Sequence, residues 1–526
     1  MTARSFPIGR RGFIAGAAAG LVTARSALAA PGIITGDASR PGMPSGVQTA
    51  DPTGDRCMLW CRSDRPSRMM VEWATNERFA GAVSIDGPLA LQDSDFTGRL
   101  DLTGLPPGAD IFYRVRFQDA TDVNVFSEPL TGRFRTPGTE RRNLSFCFSG
   151  DETGQGWGID PAFGGLKMYD TMLAFAPDFF IHSGDQIYAD QPLPTEVKLA
   201  DGKLWRNIVT PAKSKVAETL TEFRGNYAYN LTDENKRRFL AEVPLLVQWD
   251  DHDVKNNWFP GQIHDDSRYK VKSVSLLSAY ARRAMFDYNA FRILGEDPER
   301  TYRSVPYGPS LDVFMTDVRS QRGPNTRNRQ GEPGSATAFF GPAQLAWLKR
   351  GLKESKAVWK VVACSLPISY VNDDYNTYMP KGSFEGWANR DDGAPLGREL
   401  ELADLLSFIK ENRIRNVVWV SADVHFAAAI RHEPSRAGFT GFDPFWEFIA
   451  GPMHAGTYGP STLDLTFGPD VRYLSVPADL AQNRPPTEGL QFFGHAAIDG
   501  QTDVMTVRLH DITGKELNRT VIEPEV

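Results

Sequence analysis

Acidic side chains recur in this sequence at the points where short apolar runs stop. Five such points are found, and the residues that follow them are Asp151, Asp185 with Tyr188, the run Asp250-Asp251-His252-Asp253 with Asn256 and Asn257, Asp317, and Asp423 with His425. Ligands of α/β sheets bind at the carboxyl ends of the strands, so these points are expected to face one crevice. Several carboxylates in one crevice repel each other unless a cation neutralises them, and the pattern therefore predicts a metal centre.

The types of donor atom indicate which metals this centre would bind. Oxygen donors dominate, imidazoles are few and no thiol lies at a strand end, which favours hard cations over zinc. Tyr188 follows Asp185 by three residues, so both reach one point if the loop turns helically. A phenol with a reference pKa of about 10 binds a metal at neutral pH only beside a strong Lewis acid such as ferric iron. Asp423 and His425, two residues apart on a strand end, are predicted to point the same way and to serve adjacent metals.

The elements that must position these residues belong to a layered α/β region that begins near residue 141, where apolar strands alternate with helical patterns. The predicted strands are Leu144–Phe148, Phe179–Ile181, Pro244–Trp249, Val313–Thr316, Lys360–Cys364 and Val417–Val420. The predicted helices cover 164–175, 214–241, 272–293, 342–354 and 396–412. Near the C-terminus, Leu490–Ile498 and Val504–Val521 are predicted to form paired strands.

Residues 31–138 have a different pattern, typical of an all-β module. Short alternating runs are separated by clusters of proline, glycine and aspartate, and the runs are Arg56–Arg62, Met69–Trp73, Ile111–Phe117 and Gly132–Thr136. The stretch Leu105–Val115 resembles the corner before a late strand of a fibronectin-type sandwich. We expect this module to be a scaffold that carries no chemistry.

The first 29 residues are interpreted as an export signal. Arg10-Arg11-Gly12-Phe13-Ile14 precedes a run of small apolar residues, and Ala27-Leu28-Ala29 fits a cleavage site. The arginine pair resembles a twin-arginine signal, which indicates export by the twin-arginine machinery to the periplasm or beyond. The alternative is a general secretory signal that happens to hold two arginines. The apolar run is too short to span a bilayer, and no later run is long enough for a transmembrane helix.

Charge and cysteine placement exclude other classes of protein. The net charge is -7, which argues against a nucleic-acid-binding surface, since phosphate backbones require clustered Lys and Arg. Cys57 and Cys61 lie four residues apart in one predicted strand, at about 13 Å, beyond disulfide reach. Cys147 and Cys364 lie inside apolar strands, where free thiols are usual. We therefore predict no structural disulfide.

Together the motifs resemble those of PhoD-type alkaline phosphatases, within the calcineurin-like metallophosphoesterase superfamily. The motifs are Asp151, Gly184–Ala189, Trp249–Asp253 with Asn256 and Asn257, and Ser421–His425, and the resemblance covers nearly the whole chain. It implies an α/β fold, a metallophosphoesterase-type αββα sandwich, preceded by a small N-terminal β-sandwich like fibronectin III. The expected division is a signal at 1–29, the β-sandwich at 31–138 and the catalytic domain at 141–526.

The resemblance also implies roles for individual residues. Asp185 would bridge two metals, with Fe(3+) completed by Asp151, Tyr188 and His425, and one or more Ca(2+) ions held by Asp251, Asn256 and Asp423. His252 would donate to the transition-state or leaving-group oxygen. The implied activity is hydrolysis of phosphomonoesters, phosphodiesters or both by a metal-bound hydroxide in an exported protein.

Two positions depart from the family pattern. Characterised PhoD-type enzymes carry a cysteine ligand to iron where this chain has Asp151, and Cys147 lies four residues too early to replace it. The superfamily's histidine after the strand near residue 360 has no counterpart in Ala363–Pro367, which leaves the second metal one imidazole fewer and favours calcium.

Several alternatives remain open from the sequence. The same resemblance includes phospholipase D-like phosphodiesterases, and a protein of another class would be a non-catalytic metal-binding envelope protein. Arg319 is a candidate for substrate binding or for a structural ion pair with nearby acids. Asp250 or Asp253 is expected to orient the metal ligands. His182 is expected in the core, and Trp157 and His454 are candidates for the pocket lining.

Overall fold

The computed structural model describes residues 39–374 and 382–525. The expected export signal at 1–29 therefore lies outside the described residues. In the ranges that are described, no helix combines the length and apolar character needed to cross a bilayer.

Residues 39–135 form seven strands that make a two-layered β-sandwich. The strands are β1 (Val47–Ala50), β2 (Arg56–Arg62), β3 (Ser67–Ala74), β4 (Val83–Ala90), β5 (Thr97–Thr103), β6 (Asp110–Asp119) and β7 (Leu130–Arg135). Strands β3, β4, β6 and β7 form a four-stranded sheet in the order β4-β3-β6-β7. Its inner face packs on β2 through one core that includes Leu59, Val71 and Val115, so alternate residues of each strand are buried.

The described residues after 135 contribute fifteen strands and six α-helices. The strands are β8 (Leu144–Ser149), β9 (Phe179–Ser183), β10 (Glu196–Lys198), β11 (Leu204–Arg206), β12 (Leu245–Gln248), β13 (Arg303–Pro306), β14 (Leu311–Met315), β15 (Trp359–Ala363), β16 (Val417–Ser421), β17 (Ala428–His432), β18 (Phe445–Ile449), β19 (Pro469–Leu474), β20 (Phe492–Ile498), β21 (Met505–Asp511) and β22 (Glu516–Ile522). The helices are α1 (Lys167–Leu173), α2 (Leu220–Asn230), α3 (Glu234–Glu242), α4 (Val274–Tyr288), α5 (Pro342–Glu354) and α6 (Glu399–Glu411).

Two large sheets are built from these strands. The first has the order β22-β21-β20-β8-β9-β12-β1-β2-β5, and its centre, β8-β9-β12, is parallel. The second has the order β13-β14-β15-β16-β18-β17-β19, and β14, β15, β16 and β18 are parallel. Strands β10 and β11 form a separate hairpin.

The side chains of single strands show that the two sheets pack face to face between helices. In β8, Phe146 and Phe148 belong to a core shared with the second sheet, whereas Cys147 belongs to the core under α1 to α4. In β15, Val361 faces the first sheet and Val362 faces α5 and α6. Alternation of side chains across a strand buries both faces, which explains why these strands are continuous apolar runs. The expected αββα arrangement is therefore present.

The predicted elements from residue 141 on are found, with two differences. The predicted helix at 214–241 is two helices, because the chain turns at Leu231 and Asp233 caps α3 by accepting the N–H of Lys236. In addition, six strands were not predicted, and they are β10, β11, β13, β17, β18 and β19. Each of these strands has only three to six residues, too few to show a clear period-2 pattern.

The N-terminal sandwich is joined to the α/β layers by sheet pairing and by buried polar contacts. Strand β1 pairs in parallel with β12 at Ala50 and Leu245, so β1, β2 and β5 extend the first large sheet. The buried guanidinium of Arg303 binds the Asp51 carboxylate at 2.8 Å. Because the pairing crosses residue 138, the division of the chain at that point stays a prediction.

All four cysteines lie in the described residues, and all four are buried and free. The prediction that the chain forms no structural disulfide is therefore confirmed.

Candidate metal centre

The predicted donor residues meet where the parallel strands of both sheets end. Asp151 follows β8, Asp185 follows β9, and the run Asp250–Asp253 follows β12, whereas Asp423 and His425 follow β16. These loops border an open cavity of about 380 Å³, which is lined by Asp185, Asp251, His252, Asn256, Asp423 and His425 among others. The volume lies within the range of about 300–1,000 Å³ found for ligand pockets. Four of the five expected strand ends thus border one crevice. The fifth, Asp317 after β14, does not line it, because its buried carboxylate accepts the backbone N–H groups of Arg319 and Ser320, each at 2.8 Å.

Donor atoms from different loops approach closely enough to share cations. Three groups have their ligand atoms within 4.8 Å of one another, and they are Asp151 with Asp185 and His425, Asp185 with Asp251 and His252, and Asp250 with Asp251 and Asp423. Asp185 belongs to the first two groups, and Asp251 to the last two. The groups are therefore linked through shared carboxylates, which is the arrangement needed for adjacent metal ions.

Four of the donor residues adopt a backbone conformation that is uncommon outside glycine. The φ angles are 67° for Asp151, 52° for Asp185, 65° for Asp423 and 59° for His425. Left-handed residues of this kind cost free energy and cluster at functional sites. Asp423 and His425 were expected to point the same way because a strand alternates, but they lie on a loop after β16, and this loop conformation turns them toward the cavity.

Two glycines allow the donor loops to pack against each other. A Cβ atom added at Gly184 would lie 2.5 Å from the Asp250 Cβ, and one added at Gly150 would lie 2.8 Å from the Ala422 Cβ. Both contacts are far shorter than atoms tolerate, so a side chain at either position would push the loops apart. The glycine before Asp185 is therefore part of the site's geometry.

Asp253 holds two of the donor loops together. Its Oδ2 accepts the backbone N–H of Asp185 at 3.0 Å and that of Asp250 at 2.8 Å, and its Oδ1 accepts the N–H of Ile187 at 3.2 Å. Burial raises the pKa of the Asp253 carboxyl to about 7, although these hydrogen bonds act in the opposite direction. These contacts support the prediction that Asp253 orients the ligands.

The crowded carboxylates fit cations. Burial, followed by the charges of neighbouring aspartates, raises the pKa of Asp151, Asp185 and Asp423 well above the ordinary range. In the described part of the chain, Oδ2 of Asp151 and Oδ2 of Asp250 are buried without a hydrogen-bond partner. Buried carboxylate oxygens without partners are unfavourable, and a hard cation is the partner that this donor set suits.

Tyr188 and His425 form the nitrogen and phenol side of the centre. The Tyr188 hydroxyl lies 3.0 Å from His425 Nε2, which lies 3.7 Å from Asp151 Oδ1. Burial lowers the pKa of His425 to about 4, so the imidazole is neutral, and its Nδ1 contacts the carbonyl oxygen of Gly456. Burial, together with Asp185 and Asp151, raises the pKa of the Tyr188 phenol. Tyr188 therefore ionises here only beside a strong cation.

His252 is paired with an aspartate that the sequence did not single out. Its Nδ1 lies 2.7 Å from Asp190 Oδ1, and Asp190 Oδ2 accepts the N–H of Asn256 at 2.9 Å. Burial alone would lower the pKa of His252, but the Asp190 and Asp251 carboxylates outweigh it and raise that pKa to about 9. The imidazole also stacks on the Tyr188 ring at 4.4 Å. Asp190 could have been considered from the sequence, because it follows Asp185 by five residues in the same loop.

Asn256 and Asn257, which follow the run Asp250–Asp253, both line the cavity. Asn257 donates its backbone N–H to Asp251 Oδ2 at 2.7 Å and its side-chain amide to Asp374 Oδ1 at 3.2 Å. Asn256 is half-buried beside them. Hydrogen bonds from Asn257 and His252 to Asp251, with the charges of His252 and Arg319, outweigh burial and lower the pKa of Asp251 to about 2. Asp251 is thus the carboxylate best kept ionised.

Arg319 does not lie where substrate binding would require. Its side chain is 0% exposed, and its guanidinium binds Asp250 at 2.5 Å, contacts Glu385 and lies 3.9 Å from Asp251. A guanidinium enclosed in this way cannot clamp a phosphate in the cavity. The structural ion pair is the alternative that the structure supports, and Glu385, which lines the cavity, was missed because no motif marks it.

Three further residues lie in the core beside the centre. His182 is fully buried, as expected, with its Nε2 3.4 Å from Glu152 Oε2. Trp157 donates to Asn483 at 2.7 Å, and His454 Nε2 contacts the Gly158 carbonyl oxygen at 2.9 Å. Both are buried in this packing and neither is part of the cavity lining, so their candidacy for the pocket was wrong.

Comparison with known proteins gives concordant matches. A family profile described as PhoD-like phosphatase matches residues 147–509, and a profile for the N-terminal domain of PhoD-like phosphatases matches residues 25–138. Alkaline phosphatase D of Bacillus subtilis (strain 168) is 27% identical over 401 residues, which are 72% of this chain and 64% of that protein. The match therefore spans less than two thirds of the relative's own length.

Two solved structures share the fold. A structure of PhoD has a TM-score of 0.67 at 20% identity, and covers 92% of this chain and 90% of that one. A purple acid phosphatase, PPD1 from yellow lupin (Lupinus luteus) seeds, has a TM-score of 0.54 at 12% identity, covering 91% of this chain and 75% of that one. The expected metallophosphoesterase-type fold with a β-sandwich before it is thereby confirmed. Since the first profile spans well over half of its residues, the chain belongs to the PhoD-like phosphatase family.

Proposed function

We propose that this chain is an exported, metal-dependent phosphohydrolase that cleaves phosphomonoesters, phosphodiesters or both. The observation that carries the proposal is the linked set of donor groups at the cavity, in which Asp185 is shared. Membership of the PhoD-like phosphatase family and the match to alkaline phosphatase D support the same activity. The cavity is open, so an ester can reach the donor atoms from solvent.

The donor types support two unlike metals. Asp151, Asp185, Tyr188 and His425 would hold Fe(3+), and Asp185, Asp251, Asn256 and Asp423 would hold Ca(2+). A buried phenol next to a neutral imidazole suits ferric iron, whereas carboxylates and an amide suit calcium. When bound, the cations supply positive charge for the anionic ester and lower the pKa of water.

His252 is the residue that we assign to the leaving group. It lines the cavity, and the hydrogen bond of its Nδ1 to Asp190 fixes the ring so that the other nitrogen is available to donate a proton to an ester oxygen. Asp190 therefore acts as a positioning residue. A purely structural metal site gains nothing from such a pair, and this favours hydrolysis over a non-catalytic envelope protein.

Replacement of the shared carboxylate tests the activity. We expect Asp185→Asn to abolish hydrolysis of p-nitrophenyl phosphate and bis-p-nitrophenyl phosphate, because an amide loses the negative charge needed by both donor groups. Release of p-nitrophenol is measured, with circular dichroism to establish folding. Asp404→Asn, an exposed position on α6, is the matched control and should keep full activity. Undiminished turnover by folded Asp185→Asn protein would falsify the proposed function.

The iron assignment predicts a colour. We expect the purified protein to contain iron and to absorb in the visible through phenolate-to-iron charge transfer, and we expect Tyr188→Phe to lose that absorption. Tyr473→Phe, on β19, should keep it. Absorption spectra and elemental analysis of the same samples provide the measurement. A colourless, iron-free and fully active wild-type protein would contradict the assignment of iron.

The role of His252 predicts a dependence on the leaving group. Loss of a general acid costs roughly 10²- to 10⁴-fold in rate where the leaving group must be protonated. We therefore expect His252→Asn to lower kcat within that range for butyl phosphate, and much less for p-nitrophenyl phosphate, whose phenolate leaves without a proton. Equal losses on the two esters would show that His252 serves binding or folding instead.

Export is proposed from the leader sequence. Arg10 and Arg11 precede an apolar run and a cleavage site, as twin-arginine signals do. We expect replacement of both arginines by lysine to retain the protein in the cytoplasm of the producing cell. Fractionation followed by immunoblotting measures this, and export unaffected by the double substitution would point to the general secretory route.

A further inference from the structure

The cavity that opens above the metal centre has a distinct side built of apolar residues. Its members are Val371, Val424, Phe426 and Tyr458, and we call this side the apolar wall. Val371 and Phe426 are buried, whereas Val424 and Tyr458 are half-buried and therefore keep surface that a ligand can cover. Val424 and Phe426 flank His425 in the chain, so the wall rises directly from a donor residue of the centre.

Packing holds the wall in place. The Tyr458 ring meets the His425 ring edge-on at 5.3 Å, and the Tyr458 N–H donates to the His425 carbonyl oxygen at 3.4 Å. Phe426 packs edge-on against Tyr370 at 4.9 Å. A rigid aromatic ring beside a binding cavity contributes contact area at little cost in conformational entropy. The wall is therefore a preformed surface.

The described residues of the remaining lining include no lysine or arginine that could receive a second anionic group. Among the described residues that line the cavity, none is Lys or Arg, whereas Asp373, Glu385 and three aspartates of the centre contribute carboxylates. Arg390 lies close to the cavity, but its guanidinium binds Asp373 at 2.6 Å. The Arg319 guanidinium is enclosed behind the centre. The two arginines nearest the cavity are thus engaged with the lining carboxylates Asp373 and Glu385, and neither guanidinium is free to bind a second anionic group of a ligand.

The side chains that complete the lining are carboxamides, and most are already engaged. Gln191 accepts the N–H of Gln155 at 2.7 Å, and Asn372 donates to Asp423 at 2.7 Å. Asn257 donates to Asp374 at 3.2 Å. Neutral groups of this kind tolerate an uncharged polar substituent but do not offset the charge of an anionic one.

We propose that the apolar wall selects the alcohol part of the substrate. The favoured substrates are esters of a single phosphate whose alcohol part is uncharged and presents an apolar or aromatic face to Tyr458. Esters that carry a second phosphate or a carboxylate on the alcohol part are disfavoured. This inference rests on the proposed function, since it names the class of phosphoester that the same cavity accepts.

Binding of phosphonates tests the inference without relying on turnover, because their carbon–phosphorus bond is not hydrolysed by an esterase. The probes are methylphosphonate, phenylphosphonate and 4-phosphonobenzoate, titrated calorimetrically into the purified metal-containing protein. We expect phenylphosphonate to bind about tenfold more tightly than methylphosphonate, since part of the ring is removed from water. We expect 4-phosphonobenzoate to bind at least about tenfold more weakly than phenylphosphonate, since the described residues of the lining offer its carboxylate no lysine or arginine.

Variants at Tyr458 test whether its ring causes the preference for phenylphosphonate over methylphosphonate. Tyr458→Ala should reduce the phenyl-to-methyl preference to less than about twofold, whereas Tyr458→Phe should retain it, because the ring and not the hydroxyl provides the surface. Ser461→Ala, an exposed position at the cavity edge, is the matched control and should bind both probes as the wild type does. Metal content is measured for every variant, because Tyr458 contacts His425.

The outcomes separate the two proposals. Equal affinity of the wild type for the phenyl and methyl probes, or tighter binding of 4-phosphonobenzoate, overturns the inference. So does a Tyr458→Ala protein that keeps its metals and its preference. Turnover of p-nitrophenyl phosphate is measured on the same preparations. Retained preference without turnover would remove the proposed hydrolysis and leave the selective wall, whereas turnover without preference would remove the wall alone.

Discussion

Repulsion among buried carboxylates is the constraint on which the rest of this structure depends. Strands from two sheets deliver aspartates to one place. Asp151, Asp185, Asp250 and Asp251 are buried there, and Asp423 is half-buried. Taking an ion out of water costs several kcal/mol unless it is paired. His252 and Arg319 lower the pKa of Asp251, whereas burial raises the pKa of Asp250 even though Arg319 acts against it. Burial and neighbouring carboxylates raise the pKa of the other three well above the ordinary range. Cation binding is therefore coupled to the stability of these loops, since ions that bind only the folded chain stabilise it.

The need to bring the carboxylates together also accounts for unfavourable features of the donor loops. Left-handed backbone at Asp151, Asp185, Asp423 and His425 is unfavourable, yet it turns side chains from different strands toward a common point. Glycines at 150 and 184 let the loops approach, and Asp253 ties two of them together through backbone N–H groups. Asp190 does the same for His252 and Asn256. Strain in the donor loops is thus offset by hydrogen bonds that the carboxylates of Asp253 and Asp190 accept.

The sequence was sufficient for the parts of the site that lie next to strands and insufficient for the parts that do not. Asp185, Tyr188 and Asp423 could be predicted because an apolar run ends just before each, and strand ends of a parallel sheet meet at one edge. Glu385 and Tyr458 come from long connections without periodicity, so only the folded chain reveals that they line the cavity. The ion pairing of Arg319 also depends on such a connection, because Glu385 comes from one.

Similar reasoning explains which parts of the fold could be predicted from the sequence and which could not. The central strands were predictable because burial on both faces makes them continuously apolar, whereas the pairing of β1 with β12 joins segments nearly 200 residues apart and has no local signature.

The position of Cys147 bears on whether a thiolate could serve as a metal ligand in this cavity. Its neighbours Phe146 and Phe148 face the inter-sheet core, whereas Cys147 faces the helices on the other side of β8, where burial raises the pKa of its thiol. A side chain on the opposite face of the strand cannot reach the cavity without a one-residue shift in register. Such a shift would also move all the remaining side chains of β8 to the wrong face. The donor set that we propose for iron consequently consists of carboxylate, phenol and imidazole. Hard anionic oxygen donors stabilise ferric over ferrous iron, so an iron ion held by these residues would act as a Lewis acid of fixed valence rather than as a redox centre.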